Sequence, residues 1–432
     1  MREIPTLQGT TGSDQVNETK RSGRPKAAAW AVRVLQLMLL ATGITLACTT
    51  SQCHLDQTQV PGFLVALAVS WWLTPEIRSR AMQLGLVDKP GEERRIHKVA
   101  VPRLGGVAIY ISIMVAYVLM MAICGRFPRE GGLLGIAAGG TLIFVMGLLD
   151  DLESIPARVK LGIQVLAAGS ACSLGVRMSK FISITIPFDI NWWFIHIQHG
   201  THGISLGPWL AYPLTVVWLV GISNAVNLID GMDGLAAGVS LISAITIWSV
   251  ALAAEPHHQP YAAWIAAILA GALLGFLRWN FNPARIFLGD SGAYLAGFIL
   301  GSIAITGVMK TATAATVLLP MLILFFPLLD TSWAIIRRLA KGKSIFSPDA
   351  DHIHHKLLRT GLSQKKVAFL IYAFSGLLGL VAAIFVKQQV YYLTVCGGVL
   401  AAAIFFAEVL NRHRKFKQNK TEPDLTEPDE AG

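Results

Sequence analysis

The sequence predicts an all-α, polytopic integral membrane protein of about twelve transmembrane helices, eleven if the shortest is discounted, with a short β-hairpin on its outer face. Three observations carry that prediction. Of 432 residues, 53% are hydrophobic and only 14% charged, whereas soluble domains carry roughly 25% charged residues. Mean hydropathy is +0.55, and the apolar residues are gathered into runs of the length, about 20 residues, that crosses a hydrocarbon core of roughly 30 Å. Lys and Arg concentrate in alternate connections. Disordered, collagenous and disulfide-rich classes are excluded, being polar, glycine-periodic or cysteine-dense.

Read in order, the twelve apolar segments lie near 27–49, 60–74, 104–124, 132–149, 161–178, 207–226, 235–254, 261–277, 292–309, 312–335, 367–386 and 390–410. The second is short. One set of alternate connections, with both tails, holds 29 of the 36 Lys and Arg, and basic residues are retained in the cytoplasm. Both tails are therefore expected inside, at the plasma (inner) membrane. The net charge of +10 reads as this bias, not as a surface for nucleic acid. Residues 1–26 read as a disordered basic tail, 27–410 as the multi-span domain and 411–432 as a polar tail. Between the fifth and sixth spans, FISITIP and IHIQHGTHGISLG alternate around turn residues and predict the hairpin.

Charge in a bilayer is costly, about 2.5–3.5 kcal/mol per residue at a helix centre. The spans read as almost free of it, with no ionisable residue evident at mid-span. The carboxylates instead gather at the inner ends: Asp88, Asp150 with Asp151, Asp230 with Asp233, Asp290, and Asp349 with Asp351. A carrier would be expected to place such groups at mid-depth. This pattern describes a one-sided site where a charged, water-soluble substrate meets one that stays in the membrane.

Five segments carry the chemistry. DKPGEERRIHKVAVPRLGG (88–106) brings Arg94, Arg95, His97, Lys98 and Arg103 together and ends on Gly105 and Gly106, a composition suited to phosphate with close backbone approach at the glycines. In GLLDDLESIP, adjacent Asp150 and Asp151 repel at the negative end of a helix, so a cation or a raised pKa is expected to relieve them. NAVNLIDGMDGLAAG spaces Asn224, Asn227, Asp230 and Asp233 three apart. That spacing wanders off one helix face, but Gly231 and Gly234 should break the helix, so the four can converge on a hard cation or a nucleotide. NFNPARIFLGDSG sets Asp290 on a tight turn, where a lone carboxylate plus substrate phosphates suits magnesium. The last segment carries His352, His354 and His355 among Arg337, Arg338, Lys341, Lys343 and Lys356. Those cations would repel zinc, so phosphate recognition fits better.

In this order, DKP with PRLGG, LLDD, NLIDGMDGLAAG, NPARIFLGDSG and DHIHH with a GLS turn resemble the polyprenyl-phosphate N-acetylhexosamine-1-phosphate transferases, over about residues 60–410. The HIHH form is similar to the branch using UDP-N-acetylglucosamine and undecaprenyl phosphate, and less like the muramoyl-pentapeptide branch. The resemblance implies transfer of a sugar-1-phosphate from a UDP-N-acetylhexosamine to a polyprenyl phosphate, with UMP released. It implies magnesium as cofactor, with manganese as the substitute. By matching position, Asp290 resembles the metal carboxylate and Asn227 its polar neighbour, while Asp150, Asp151 and Asp233 take catalytic places. Asp230, Asn224, Asn280 and Phe287 fall at nucleotide or sugar positions, and Arg94, His97, Lys98, His352, His354 and His355 at phosphate positions. Ala293 stands where the family usually has Ser. A flippase for a phosphorylated lipid would share the basic face, and a homodimer is left open.

Overall fold

The computed structural model describes residues 26–48, 58–88, 100–124, 132–178, 180–186, 190–192, 195–197, 200–205, 207–253, 259–308, 318–342 and 352–388. The expected span at 390–410, both tails beyond these limits, Asp349, Asp351, and the phosphate candidates Arg94, His97 and Lys98 lie outside the described residues.

The fold is helical. In chain order it comprises α1 (Lys26–Cys48), α2 (Gln59–Gln83), α3 (Gly105–Cys124), α4 (Leu133–Leu152), α5 (Ala157–Ser173), α6 (Pro208–Leu228), α7 (Leu235–Ala253), α8 (Pro260–Asn280), α9 (Gly289–Ile303), a π-helical turn (Ala304–Val308), α10 (Leu318–Ile323), α11 (Phe325–Ala340), α12 (Ile353–Leu358) and α13 (Gln364–Gln388). Seven of these, α2, α3, α4, α6, α7, α8 and α13, are long and apolar enough to cross a membrane. They carry exposed large apolar side chains such as Trp72, Val118, Val217 and Leu380, a surface suited to hydrocarbon.

Three expected spans are corrected in form. The short 60–74 segment is the first part of a 25-residue helix, because α2 runs through Pro75 into Glu76–Gln83. Good helix formers follow the proline, and Arg78 Nε donates to the Arg285 carbonyl (2.9 Å), tying the extension down. The 292–309 segment is α9 followed by a π turn, and 312–335 is interrupted at Leu324, between α10 and α11.

α8 lies at the centre, with Trp264, Ile268, Leu273 and Phe276 fully buried. Its small residues set the packing distance. A β-carbon on Gly271 or Gly275 would strike the α2 backbone at Phe63 or Leu67, so the two helices meet backbone to backbone. On α9, Gly297 gives α6 the same approach at Ile222 and Ser223.

Two antiparallel ribbons interrupt the helices. β3 (Lys180–Ile186) pairs with β6 (Gly200–Ser205), with Ile184 opposite His202, and β4 (Ile190–Trp192) pairs with β5 (Ile195–Ile197) between them. A smaller ribbon, β1 (Val87–Asp88) on β2 (Val101–Pro102), brings together the ends of the 88–106 segment.

Candidate active site

Four chain segments meet at one end of the bundle. The strand-like run 102–106 lies along 287–288: Phe287 N–H donates to the Pro102 carbonyl (2.8 Å), Gly105 N–H to Phe287 (3.0 Å) and Gly106 N–H to Leu288 (2.8 Å). A β-carbon on Gly105 would run into the Phe287 carbonyl and the Phe276 ring, and one on Gly106 into Ser291 and Gly292. These glycines therefore serve close protein packing, which corrects the expectation that they bring backbone to a phosphate.

Asp151, at the end of α4, caps α9. Its Oδ1 accepts from the Asp290 amide (2.7 Å), and its Oδ2 from the Ser291 amide (3.0 Å) and hydroxyl (2.6 Å). Free amides at a helix start attract a carboxylate, here one supplied by another helix. Gly289, at φ +75°, makes the turn into α9, and any side chain there would collide with Asp151 and the Arg103 carbonyl. Both Asp151 oxygens are taken, so it positions α9 instead of facing the cavity as a free carboxylate.

Its neighbour Asp150 pairs with Lys160 of α5, whose ammonium is also 3.8 Å from Asp290 Oδ2. The Asp150 side chain is 3% exposed and that of Asp290 38%, so Asp290 is the carboxylate a ligand can reach. Asn227 Nδ2 donates to Asp290 Oδ1 (2.9 Å) and orients it. Lys160 is a site residue that the sequence does not single out, being one of two cations in a short connection. Its place ten residues after Asp150, across a proline turn, is the signal available.

The helix break expected at 229–234 is present: α6 ends at Leu228, α7 starts at Leu235, and Gly234 has φ +75°. Asp230 and Asp233 reach the cavity from it. Desolvation holds the Asp230 carboxyl well above the usual range, and the charges of Asp290, Asp151 and Asp233 add to this against Arg103. Asp233 Oδ2 accepts from Asn282 Nδ2 (2.9 Å) and the Ala284 amide (3.0 Å), and Asn282 also bonds Gln364 of α13 (2.6 Å).

The cavity has a volume of about 410 Å³ and is lined by Asp88, Arg103, Asp150, Asp151, Ser154, Lys160, Asp230, Gly231, Met232, Asp233, Asn280, Phe287, Gly289 and Asp290. Arg103 pairs with Asp88 at 2.8 Å. Asn280 lines it while donating to the Ile286 carbonyl (2.9 Å), which holds the loop bearing Phe287. Asn224 does not join: its amide is used by Gln164 (2.7 Å) and the Val220 carbonyl (2.8 Å). The expected His352, His354 and His355 are not among the residues that line the cavity. The His354 ring abuts Gly231 so closely that a β-carbon there would overlap it, while His352 bonds Asp330. Burial first, then His355, pushes the His354 imidazole down to about 3, so it is neutral at physiological pH.

Asp330 is an exception to the expectation of spans almost free of charge. It lies inside the expected 312–335 segment and is 1% exposed. A buried ionisable residue within an apolar segment is itself a sign of function or of a specific partner, a sign legible in the sequence.

Among the described residues, no group of three or more His, Cys, Asp or Glu side chains is arranged to hold a metal ion unaided. The cavity lining offers carboxylate oxygens beside Asp290, those of Asp150, Asp230 and Asp233, and Mg²⁺ usually takes only one or two carboxylates, completing its shell with water and substrate phosphates. That donor set fits magnesium bound together with a diphosphate.

Residues 133–308 match the glycosyl transferase family 4 model. The chain is 36% identical over 351 residues, 81% of its length and 90% of the relative's, to a probable undecaprenyl-phosphate N-acetylglucosaminyl 1-phosphate transferase of Bacillus subtilis (strain 168). It is 33% identical to the decaprenyl-phosphate N-acetylglucosaminephosphotransferase of Mycobacterium tuberculosis (strain ATCC 25618 / H37Rv), over 79% of this chain and 86% of that one. To the undecaprenyl-phosphate alpha-N-acetylglucosaminyl 1-phosphate transferase of Thermotoga maritima it is 28% identical, over 80% and 96%. An acidic cleft at one end of an apolar helical bundle, with these relatives, defines a membrane glycosyl-1-phosphate transferase. The chain belongs to glycosyl transferase family 4, on the branch that holds these relatives.

Proposed function

We propose that the protein transfers N-acetylglucosamine-1-phosphate from UDP-N-acetylglucosamine to undecaprenyl phosphate or a similar polyprenyl phosphate, releasing UMP, as the first membrane step of a cell-envelope polysaccharide pathway. The observation that carries this is the convergence of Asp150, Lys160, Asp230 and Asp290, from three separate connections, on one cavity at the end of apolar helices. Phosphoryl transfer needs positioning and charge stabilisation more than covalent help. A phosphate oxygen of the lipid attacks the sugar-bearing phosphorus, a new P–O bond forms, and the bridging P–O bond to UMP breaks.

Lys160 and Arg103 are the cations that receive phosphate oxygens, each held by a carboxylate partner. Asp290, kept in place by Asn227 and by the Asp151 cap, is the metal carboxylate of this proposal. Magnesium, when bound, supplies neutralisation of the diphosphate and the departing UMP. Asp230 and Asp233 line the sugar and nucleotide side with Phe287. A lipid phosphate is already largely dianionic near neutral pH, its second pKa being about 6 by analogy with phosphorylated side chains. Asp150 therefore orients Lys160 more than it removes a proton.

The Lys and Arg bias supports a cytoplasmic site. The hairpin follows the end of α5 remote from Lys160 and precedes the end of α6 remote from Asn227, which supports the outer-face reading. The twelve-span reading counts α9 with its π turn, and α10 with α11, as interrupted crossings.

Purified protein in detergent, given UDP-N-acetylglucosamine, undecaprenyl phosphate and Mg²⁺, is expected to release UMP without any gradient. Faster turnover with the muramoyl-pentapeptide donor would move it to that branch, and no UMP from any UDP-sugar would overturn the proposal.

A further inference from the structure

Asp330 is a carboxylate within an apolar segment, and it has two partners. Its Oδ2 lies 2.8 Å from His352 Nδ1, and its Oδ1 accepts from the Ile353 amide at 2.8 Å. Both belong to the start of α12, 22 and 23 residues further along the chain. A buried carboxylate bonded through both oxygens has one stable placement, since either bond broken leaves a charge without its compensation.

α12 carries that placement to the cavity. The rings of His352 and His354 lie parallel, interplanar angle 8°, with centroids 5.8 Å apart. His354, 1% exposed, packs against Gly231, leaving no room for a side chain there. Gly231 is a cavity-wall residue, directly followed by Met232 and preceded by Asp230, both also in the lining. The break between α6 and α7 has few backbone bonds of its own, with the Ile229 amide on Ala225 (3.4 Å), the Asp230 amide on Asn227 (3.1 Å) and Leu235 on Met232 (3.0 Å); Asn282 and Ala284 hold it at Asp233 and Tyr372 at Gly234, and at Gly231 it rests on His354.

We propose that Asp330 is a positioning residue: by fixing His352 and the first amide of α12, it sets His354 against Gly231 and so holds the Asp230 wall of the cavity at the spacing the nucleotide sugar requires. The inference rests on the transferase reading for its kinetic consequence. The mechanical link from Asp330 to Gly231 can be measured without it.

The test uses the full chain in detergent and compares wild type with Asp330→Asn, which keeps an acceptor for the Ile353 amide but disturbs the bond to His352. Two quantities are read: the KM for UDP-N-acetylglucosamine in UMP release, and amide hydrogen exchange at 229–235, 353–358 and, as internal control, 262–276. The expected result is a KM at least fivefold higher, with faster exchange at 229–235 and 353–358 and unchanged exchange in α8. Loss of folded protein lowers the apparent kcat and leaves KM alone, so a kcat loss with unchanged KM overturns the inference, as does unchanged exchange at 229–235. If wild type releases no UMP, the transferase reading fails, and the exchange measurement still decides the link. If Asp330→Asn is not recovered folded, His352→Phe, which keeps a ring beside His354 but not the bond to Asp330, is judged by the same two outcomes.

Discussion

Asp151 and Ser291 are 140 positions apart in the chain and joined by two hydrogen bonds, from the Ser291 amide at 3.0 Å and its hydroxyl at 2.6 Å. Through that pair, the helix presenting Asp290 is seated on the helix presenting Asp150. Asp151→Ala should cost about 1–2 kcal/mol of stability, the value of an N-cap, and about a hundredfold in UMP release through displacement of Asp290. Ser291→Ala, which leaves both amides bonded, should cost about 1 kcal/mol and much less activity. Thermal melting beside initial rates separates the two effects.

Lys160 lies between Asp150 and Asp290. Lys160→Met leaves those carboxylates facing each other and removes a phosphate contact, so activity should fall about a hundredfold or more, with partial recovery in Lys160→Arg. Asp290→Asn is expected to be more damaging than Asp150→Asn, because Asp290 is the more open of the two. Equal activity of Asp290→Asn and wild type at saturating Mg²⁺ would refute its assigned role.

Gly106 distinguishes packing from ligand approach. Gly106→Ala would drive a methyl group into Ser291 and Gly292, an overpacking cost of roughly 1–3 kcal/mol. The melting temperature should fall with no substrate present. A normal melting temperature with a raised KM would return the glycine to phosphate binding.

The His354 imidazole sits far below its unfolded value of 6.5, at about 3. Between those values the unfolded chain binds the proton and the folded one does not. Stability is therefore fully present above pH 6.5 and is lost as pH falls through that window, by at most about 1.4 kcal/mol per pH unit. Between pH 7.5 and 5, thermal stability of His354→Gln should fall less steeply than that of wild type.

Much of the site was legible because its residues stand in short motifs with few structural alternatives. Asp290 on a glycine turn and the helix break at Gly231 and Gly234 follow from local chemistry, and the structure realises both. The partners of these motifs were not legible. Nothing near Asp151 in the chain announces that it caps a helix starting at Gly289, and Asn224 looks like Asn227 in sequence although only Asn227 reaches Asp290. Lys160 gains its meaning only from being folded beside two carboxylates. Asp330 was visible, yet its 312–335 setting read as a plain span because a single charge at the edge of an apolar run costs little in a hydropathy window. The expected span at 60–74 also falls short of α2, which carries Pro75 inside it and runs on to Gln83.

The Tyr372 hydroxyl of α13 donates to the Gly234 carbonyl at 2.5 Å, and its ring occupies the room a side chain on Gly238 would need. Gln364 of the same helix reaches Asn282, which holds Asp233. As the ribosome delivers this chain, the acidic side chains from Asp88 to Asp290 emerge well before the element that latches them. A nascent protein halted before residue 364 would lack both of these bonds, so the cavity wall at Asp233 and Gly234 takes its final support from the last described helix.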